Sequence, residues 1–261
     1  MDPITGSLIF LTGLIAGTLG GLLGIGGCVI MLPALVFVFN YPTAIAIGTT
    51  ITAVILTATS GAIAHIRMRN VDYSTTKVVA ISGAIGSAVG SIIFFYISNE
   101  TWLLNFILGF AFLYVSIRMI YEGIFKRKME MKEGNRVPGS NTAKATIGFL
   151  IGIITGIVGL GGGYALVPSF IYLLSSPVKI AVGTSLASFI SMAVVSGAFK
   201  LYQGVVDVIA AIFLGIGTIL GAQIGARLVK VVPSWAIKAI FGFVFLFVSL
   251  KFIYLGYQIL F

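Results

Sequence analysis

Two short glycine clusters are the places where this chain could do chemistry. Gly24-Ile25-Gly26-Gly27 and Gly159-Leu160-Gly161-Gly162-Gly163 each lie inside a long apolar run, and each is followed by a proline, Pro33 or Pro168. Glycine lets the main chain turn sharply and leaves its N–H groups sterically open. A helix that starts after such a turn adds the positive end of its dipole. That combination suits an anion. Farther along, Gly48-Thr49-Thr50 and Gly183-Thr184-Ser185 supply paired hydroxyls at matching places. Hydroxyl donors hold an oxyanion without the cost of burying a lysine. The candidate substrate-binding residues are therefore Gly24, Gly26, Gly27, Thr49, Thr50, Gly159, Gly161, Gly162, Gly163, Thr184 and Ser185. Gln223 joins them as an uncharged polar group well inside an apolar run, with an interhelical hydrogen bond as its other reading. The hydroxyls also have a rival role, since Ser and Thr in membrane helices often bond to their own helix backbone.

The elements that must hold these groups are set by composition. Of 261 residues, 59% are hydrophobic and 9% charged, with a mean hydropathy of +1.13, whereas an average soluble domain is roughly one-quarter charged. A water-soluble globule is excluded, and the chain reads as a polytopic membrane protein in contact with the lipid bilayer. The basic residues behind the +9 balance sit between apolar runs, so they read as membrane orientation and not as a nucleic-acid surface. The single cysteine, Cys28, excludes an intrachain disulfide or a multi-cysteine metal site. No phosphate loop, His-Glu-x-x-His, Cys/His cluster or Gly-x-Ser-x-Gly elbow is present. No enzyme activity, cofactor or metal is expected.

Apolar runs occupy about 4–39, 43–64, 77–98, 103–121, 145–174, 181–199, 206–226 and 236–258. Sliding the second half back by 135 positions superposes Gly13, Gly17, Gly21, Gly24, Gly26, Gly27, Pro33, Pro42, Gly48, Thr49, Asp72, Gly86 and Gly90 on Gly148, Gly152, Gly156, Gly159, Gly161, Gly162, Pro168, Pro177, Gly183, Thr184, Asp207, Gly221 and Gly225. The chain is therefore read as a tandem duplication, a common plan of secondary transporters. Residues 1–121 and 145–261 form the two transmembrane repeats, and 122–144 is a basic cytoplasmic linker. A continuous helix over 4–39 would be roughly 54 Å long against about 30 Å of hydrocarbon. Each first run is therefore expected to be two short helices joined by a glycine turn, a re-entrant hairpin; a single tilted, broken span is the alternative. With hairpins, each half crosses three times and the second half is inverted. All of the 16 Lys/Arg except Lys200 and Lys251 then lie inside. Eight single crossings would leave Lys179, Arg227, Lys230 and Lys238 on the wrong side. The expected fold is all-α: a transmembrane helical bundle of two inverted repeats, each opening with a glycine-broken hairpin.

Other residues invite plainer roles. Gly13/Gly17/Gly21 and Gly86/Gly90 have the spacing of close helix-packing faces. Cys28 reads as a buried small hydrophobe. Arg118 and Lys251 are expected to snorkel, and His65 to sit at the interface. Asp72 and Asp207 fall at span starts, which argues against a deep carboxylate proton relay and leaves proton or ion coupling open.

The doubled pattern Gly21-Leu-Leu-Gly24-Ile-Gly26-Gly27-x5-Pro33 and Gly156-Ile-Val-Gly159-Leu-Gly161-Gly162-x5-Pro168, each followed by a second proline and Gly-Thr-(Thr/Ser), resembles the sulfite exporter TauE/SafE family of membrane permeases. The likeness covers nearly the whole chain. It implies a permease of the cytoplasmic membrane, with seven or eight spans, moving sulfite, sulfonates or other sulfur-containing or organic anions. The expected function is a secondary transporter of a small anion working by alternating access. A passive anion channel and a non-transporting membrane anchor subunit are the alternatives.

Overall fold

The computed structural model describes residues 3–23, 27–124, 134–160, 162–228 and 234–260. Among these there is no strand. Ten helices follow one another: α1 (Pro3–Leu23), α2 (Cys28–Phe37), α3 (Thr43–Arg67), α4 (Tyr73–Ile97), α5 (Thr101–Ile124), α6 (Asn141–Val158), α7 (Gly163–Pro168, continued by a π-helical turn Ser169–Leu173), α8 (Val178–Tyr202), α9 (Val208–Leu228) and α10 (Ser234–Leu260). Eight of them are long and apolar enough to cross a membrane; α2 and the α7 segment are the short exceptions.

Each long first run does break at its glycines, but not into two short helices. α1 has 21 residues, about 31 Å at the usual rise, and α2 has 10. α2 starts after Gly27, whose φ of +74 is a conformation that glycine adopts at little cost. Prolines punctuate the other end of the short helices. Pro42 and Pro177, with ψ near +137 and +136, turn the chain into α3 and α8.

Packing is carried by small residues. Along α1, a Cβ on Gly13 or Gly17 would collide with the backbone of Leu214 or Thr218 in α9, and Gly217 and Gly221 of α9 press back on Phe10 and Leu14. Moving Gly13, Gly17 and Gly221 by 135 positions gives the contacts between α6 and α4: Gly148 and Gly152 on Val79 and Gly83, and Gly86 on Phe149; the mate of Gly217 is Ser82. Both pairs advance together along their chains, so α1 runs parallel to α9 and α6 parallel to α4. Of the glycine stripes read from the sequence, Gly13, Gly17, Gly86 and Gly90 lie on packing faces.

The remaining directions follow in the same way. Thr57 of α3 meets Thr218 of α9, while Leu56 packs on Gly215, so α3 is parallel to α9 and hence to α1. The short α2 therefore carries the chain back between two helices of the same sense. In contrast, Gly61 meets Leu186 and Gly197 meets Ile55, so α3 and α8 cross antiparallel. α5 and α10 pair antiparallel, with Ser249 donating to the Gly109 carbonyl and Ser116 to that of Gly242.

Replacing Gly86 with Ala should force α4 away from α6. Overpacking of this kind costs about 1–3 kcal/mol, read as a lowered unfolding midpoint in detergent. Ile85→Ala, on the exposed face, should leave the midpoint nearly unchanged.

Candidate functional site

The described residues that flank the two breaks come near one another. Cys28, the first residue of α2, lies within electrostatic reach of the hydroxyl of Tyr164, the second residue of α7. Gly24, Gly26 and Gly161 lie outside the described residues. The described glycines are packed in protein. Gly27 sits against Ala16, where a Cβ would stand 2.8 Å from the carbonyl oxygen. Gly159 takes φ +67 as it ends α6, its N–H bonded to the Thr155 carbonyl, and it lies against Ile47 of α3. Gly162 faces Phe189, and its carbonyl accepts from the N–H groups of Ala165 and Leu166. Gly163 is buried as the first residue of α7.

The hydroxyl segments divide into two roles. Thr49 Oγ1 accepts from the Asp207 N–H and Thr184 Oγ1 from the Asp72 N–H, both at 3.0 Å. The neighbouring glycines, Gly48 and Gly183, press on the carbonyls of Val205 and Asn70. These threonines are thus structural fasteners to the turns that precede α9 and α4. Ser185 donates to the carbonyl of Val182 in its own helix. Thr50 is different: its Oγ1 is buried and has no hydrogen-bond partner. Gln223 is exposed.

Buried polar atoms are nearly always paired, so the exceptions are informative. Among the described residues they are Thr50 Oγ1, His65 Nδ1, Asn105 Nδ2, Thr155 Oγ1, Tyr164 OH and Gln203 Oε1. Three of the six belong to the elements that meet at the second break. Thr155 is one turn before Gly159, Tyr164 follows Gly163, and Thr50 is three residues beyond Ile47, which touches Gly159. Thr155 and Tyr164 escape sequence reading because their mates at the 135-residue offset are Gly20 and Val29. A tyrosine directly after three glycines was the signal available.

Two cations depart from their expected places. Lys200, expected outside, is fully buried. Its Nζ donates to the Gly156 carbonyl at 2.8 Å, in the last turn of α6, and stands 3.3 Å from the centre of the Phe94 ring. The helix terminus supplies an open carbonyl and a negative dipole end, which reward a cation there. Its mate at the same offset is His65. Arg118, expected to snorkel, turns inward: Nη1 donates to the Tyr164 carbonyl at 2.7 Å and Nε to Glu122 at 2.8 Å. It lines a cavity of about 310 Å³ with Tyr114, Tyr121, Glu122 and Tyr172. Lys251 is exposed, over the Phe37 ring at 4.3 Å.

The two aspartates outside the spans are caps. Asp207 Oδ2 accepts from the Tyr41 hydroxyl, whose pKa is pushed up to about 12 by burial and by that carboxylate. Burial alone would raise the pKa of Asp72. Hydrogen bonds from the Thr75 hydroxyl and from the N–H groups of Val137 and Thr75, together with the charge of Lys144, outweigh it and hold the carboxyl below its ordinary 3.8.

Such a doubled, glycine-broken bundle has relatives. The pattern of the family described as Sulfite exporter TauE/SafE matches residues 9–252. The chain belongs to this family. It is similar to the probable membrane transporter protein YunE of Bacillus subtilis (strain 168), 25% identical over 271 residues, covering 95% of this chain and 97% of that one. It is also similar to YjnA of the same organism, a probable membrane transporter protein 30% identical over 227 residues, with 84% and 89% covered. A probable membrane transporter protein of Methanocaldococcus jannaschii is 25% identical over 236 residues, with 85% of each covered. No solved structure matches. The chain is a multi-pass membrane transporter and not an enzyme.

A carboxyl with a lowered pKa stabilises the fold fully above its unfolded pKa and loses that contribution as pH falls through the folded value. The unfolding midpoint in detergent should therefore hold from neutral pH down to about 4 and fall below it. Asp72→Asn should be less stable at neutral pH and show a flatter acid limb.

Proposed function

We propose that the chain is a secondary transporter of a small anion of the cytoplasmic membrane, with sulfite or another sulfur-containing or organosulfonate anion as substrate. The site lies where the two breaks meet, and it is exposed alternately to either face by movement between two inverted repeats, residues 1–121 and 145–261, joined by the basic linker 122–144. The observation that carries this reading is the group of three buried hydroxyls around Gly159, those of Thr50, Thr155 and Tyr164, none of which bonds to protein. An anion or a water held by them removes the penalty of about 1–3 kcal/mol that each unpaired group incurs. Arg118, one hydrogen bond from the break and lining a cavity, supplies positive charge along an approach. The sulfur-containing substrate rests on the family's printed description.

The inverted arrangement is supported by the antiparallel crossing of the equivalent helices α3 and α8, and by the parallel course of α1 and α3 with α2 between them. An inverted pair related about the membrane midplane is the common architecture of alternating access. Positive-inside orientation then puts the linker in the cytoplasm.

The hydroxyls give a discriminating test. Purified protein in liposomes should carry sulfite, and Thr50→Val, Thr155→Val and Tyr164→Phe together should cut the flux at least about tenfold. Because none of the three bonds to protein, the triple variant should keep its ligand-free melting temperature. The rise in melting temperature produced by saturating sulfite, worth about 2.7 kcal/mol at a hundred times Kd, should vanish in it. A triple variant with undiminished flux would refute the site. A panel of thiosulfate, sulfoacetate, sulfate and carboxylates identifies the preferred anion.

A further inference from the structure

The turns before α3 and α8 are copies of one another. Asn40 and Ser175 share the left-handed conformation, φ 54 and 56, as do Arg69 and Gly204, φ 57 and 71. The N–H of Tyr41 bonds to the Leu35 carbonyl and that of Ser176 to the Phe170 carbonyl; those of Asn70 and Val205 bond to the His65 and Lys200 carbonyls. Every member of these pairs is 135 residues from its mate. The chain therefore builds the same cleft twice, and on the inverted-repeat reading the two clefts open toward opposite faces of the membrane.

They are not in the same condition. The cleft of Tyr41, Pro42, Ile45 and Asp207 is an open cavity of about 360 Å³. At the equivalent cleft, the end of the linker lies across the wall. Gly134 sits against Pro177, Gly139 against Leu174, and the Val137 N–H donates to Asp72 Oδ2 at 3.0 Å. Val137 itself is only 2% exposed. Burial changes accordingly, position by position. Pro42 is exposed and Pro177 buried; Ile45 and Asp207 are partly exposed, whereas Ile180 and Asp72 are buried at 4% and 6%. The carboxylate that takes a tyrosine hydroxyl in the open cleft takes a linker amide in the covered one.

We infer that residues 134–139 are a built-in plug, seated in one of two equivalent clefts, so that this conformation is open to the Tyr41 side alone. Opening toward the linker side requires the plug to leave Asp72. The segment is suited to this: glycines bound it at Gly134 and Gly139, and its hold is one amide–carboxylate bond and one buried valine. The inference depends on the inverted-repeat reading, and the experiment separates the two.

Equivalent cysteines, Tyr41→Cys and Ser176→Cys, are placed singly in a Cys28→Ala background and challenged with a membrane-impermeant maleimide from each face of oriented vesicles. Tyr41→Cys should label quickly from one face. Ser176→Cys should label slowly, and only from the other. Replacing residues 135–138 by Gly-Ser-Gly-Ser should raise the Ser176→Cys rate about tenfold or more, as expected for loss of one charge-assisted bond, and leave Tyr41→Cys unchanged. Val137→Pro, which removes the donor and the valine side chain and leaves the rest of the linker in place, is the second variant should the longer replacement fail to fold. A Ser176→Cys rate indifferent to both linker changes overturns the plug. Labelling of both cysteines from the same face overturns the inverted repeat.

Discussion

A main-chain N–H or carbonyl has no water to turn to inside a bilayer, and the rest of this structure depends on how that constraint is met at two interrupted helices. The described glycines at the two interruptions are packed in protein: Gly27 on Ala16, Gly159 on Ile47, Gly162 on Phe189. In the last turn of α6 the Thr155 carbonyl is met by the N–H of the capping Gly159, and the Gly156 carbonyl by Lys200 from α8. Arg118 does the same for the Tyr164 carbonyl on the other flank. Two basic side chains thus stand on either side of the second break, Arg118 paired with Glu122 and Lys200 held on the Gly156 carbonyl. Holding each basic head on a carbonyl avoids leaving an unpartnered polar group in a dry core.

The hydroxyls show why residue type alone does not assign a role. Thr49 and Thr50 are neighbours in sequence and equally buried, yet one fastens the turn before α9 and the other bonds to nothing in the protein. Successive positions on a helix point about 100° apart, so adjacent side chains meet different surroundings. Thr184 repeats the role of Thr49, whereas Ser185 bonds to its own helix where Thr50 does not. The symmetry of the scaffold is close, and that of its centre is looser. Tyr164 opposite Val29 and Lys200 opposite His65 make the two halves chemically unequal, which is what a site that binds one solute in one orientation requires.

Much of the scaffold was legible in the chain before any coordinate. Glycine and proline speak for the backbone path directly, so the breaks, the packing stripes and the 135-residue offset could be read from residue type. Helix lengths about the break could not. The expectation of two short helices assumed a glycine cluster at the midpoint of each run, and α1 simply continues until the cluster stops it. The inward turn of Arg118 and the burial of Lys200 were also out of reach, because each is decided by a carbonyl that another part of the chain brings to it. Long cations at span ends look alike in sequence whether they reach for lipid headgroups or for a helix terminus. Gln223 shows the converse: polarity inside an apolar run says nothing about which way the side chain faces, and it is exposed.

Each half gives its first helix to the other half: α1 lies on α9, and α6 on α4. During synthesis, the glycine face of α1 consequently has no correct neighbour until some two hundred more residues have emerged, and α4 waits for α6 in the same manner. Neither half can reach its final form while the ribosome is still making the other. Biogenesis must therefore shelter unpaired glycine stripes in the membrane for most of translation, and a chain cut between the halves can mature only if both pieces are made together.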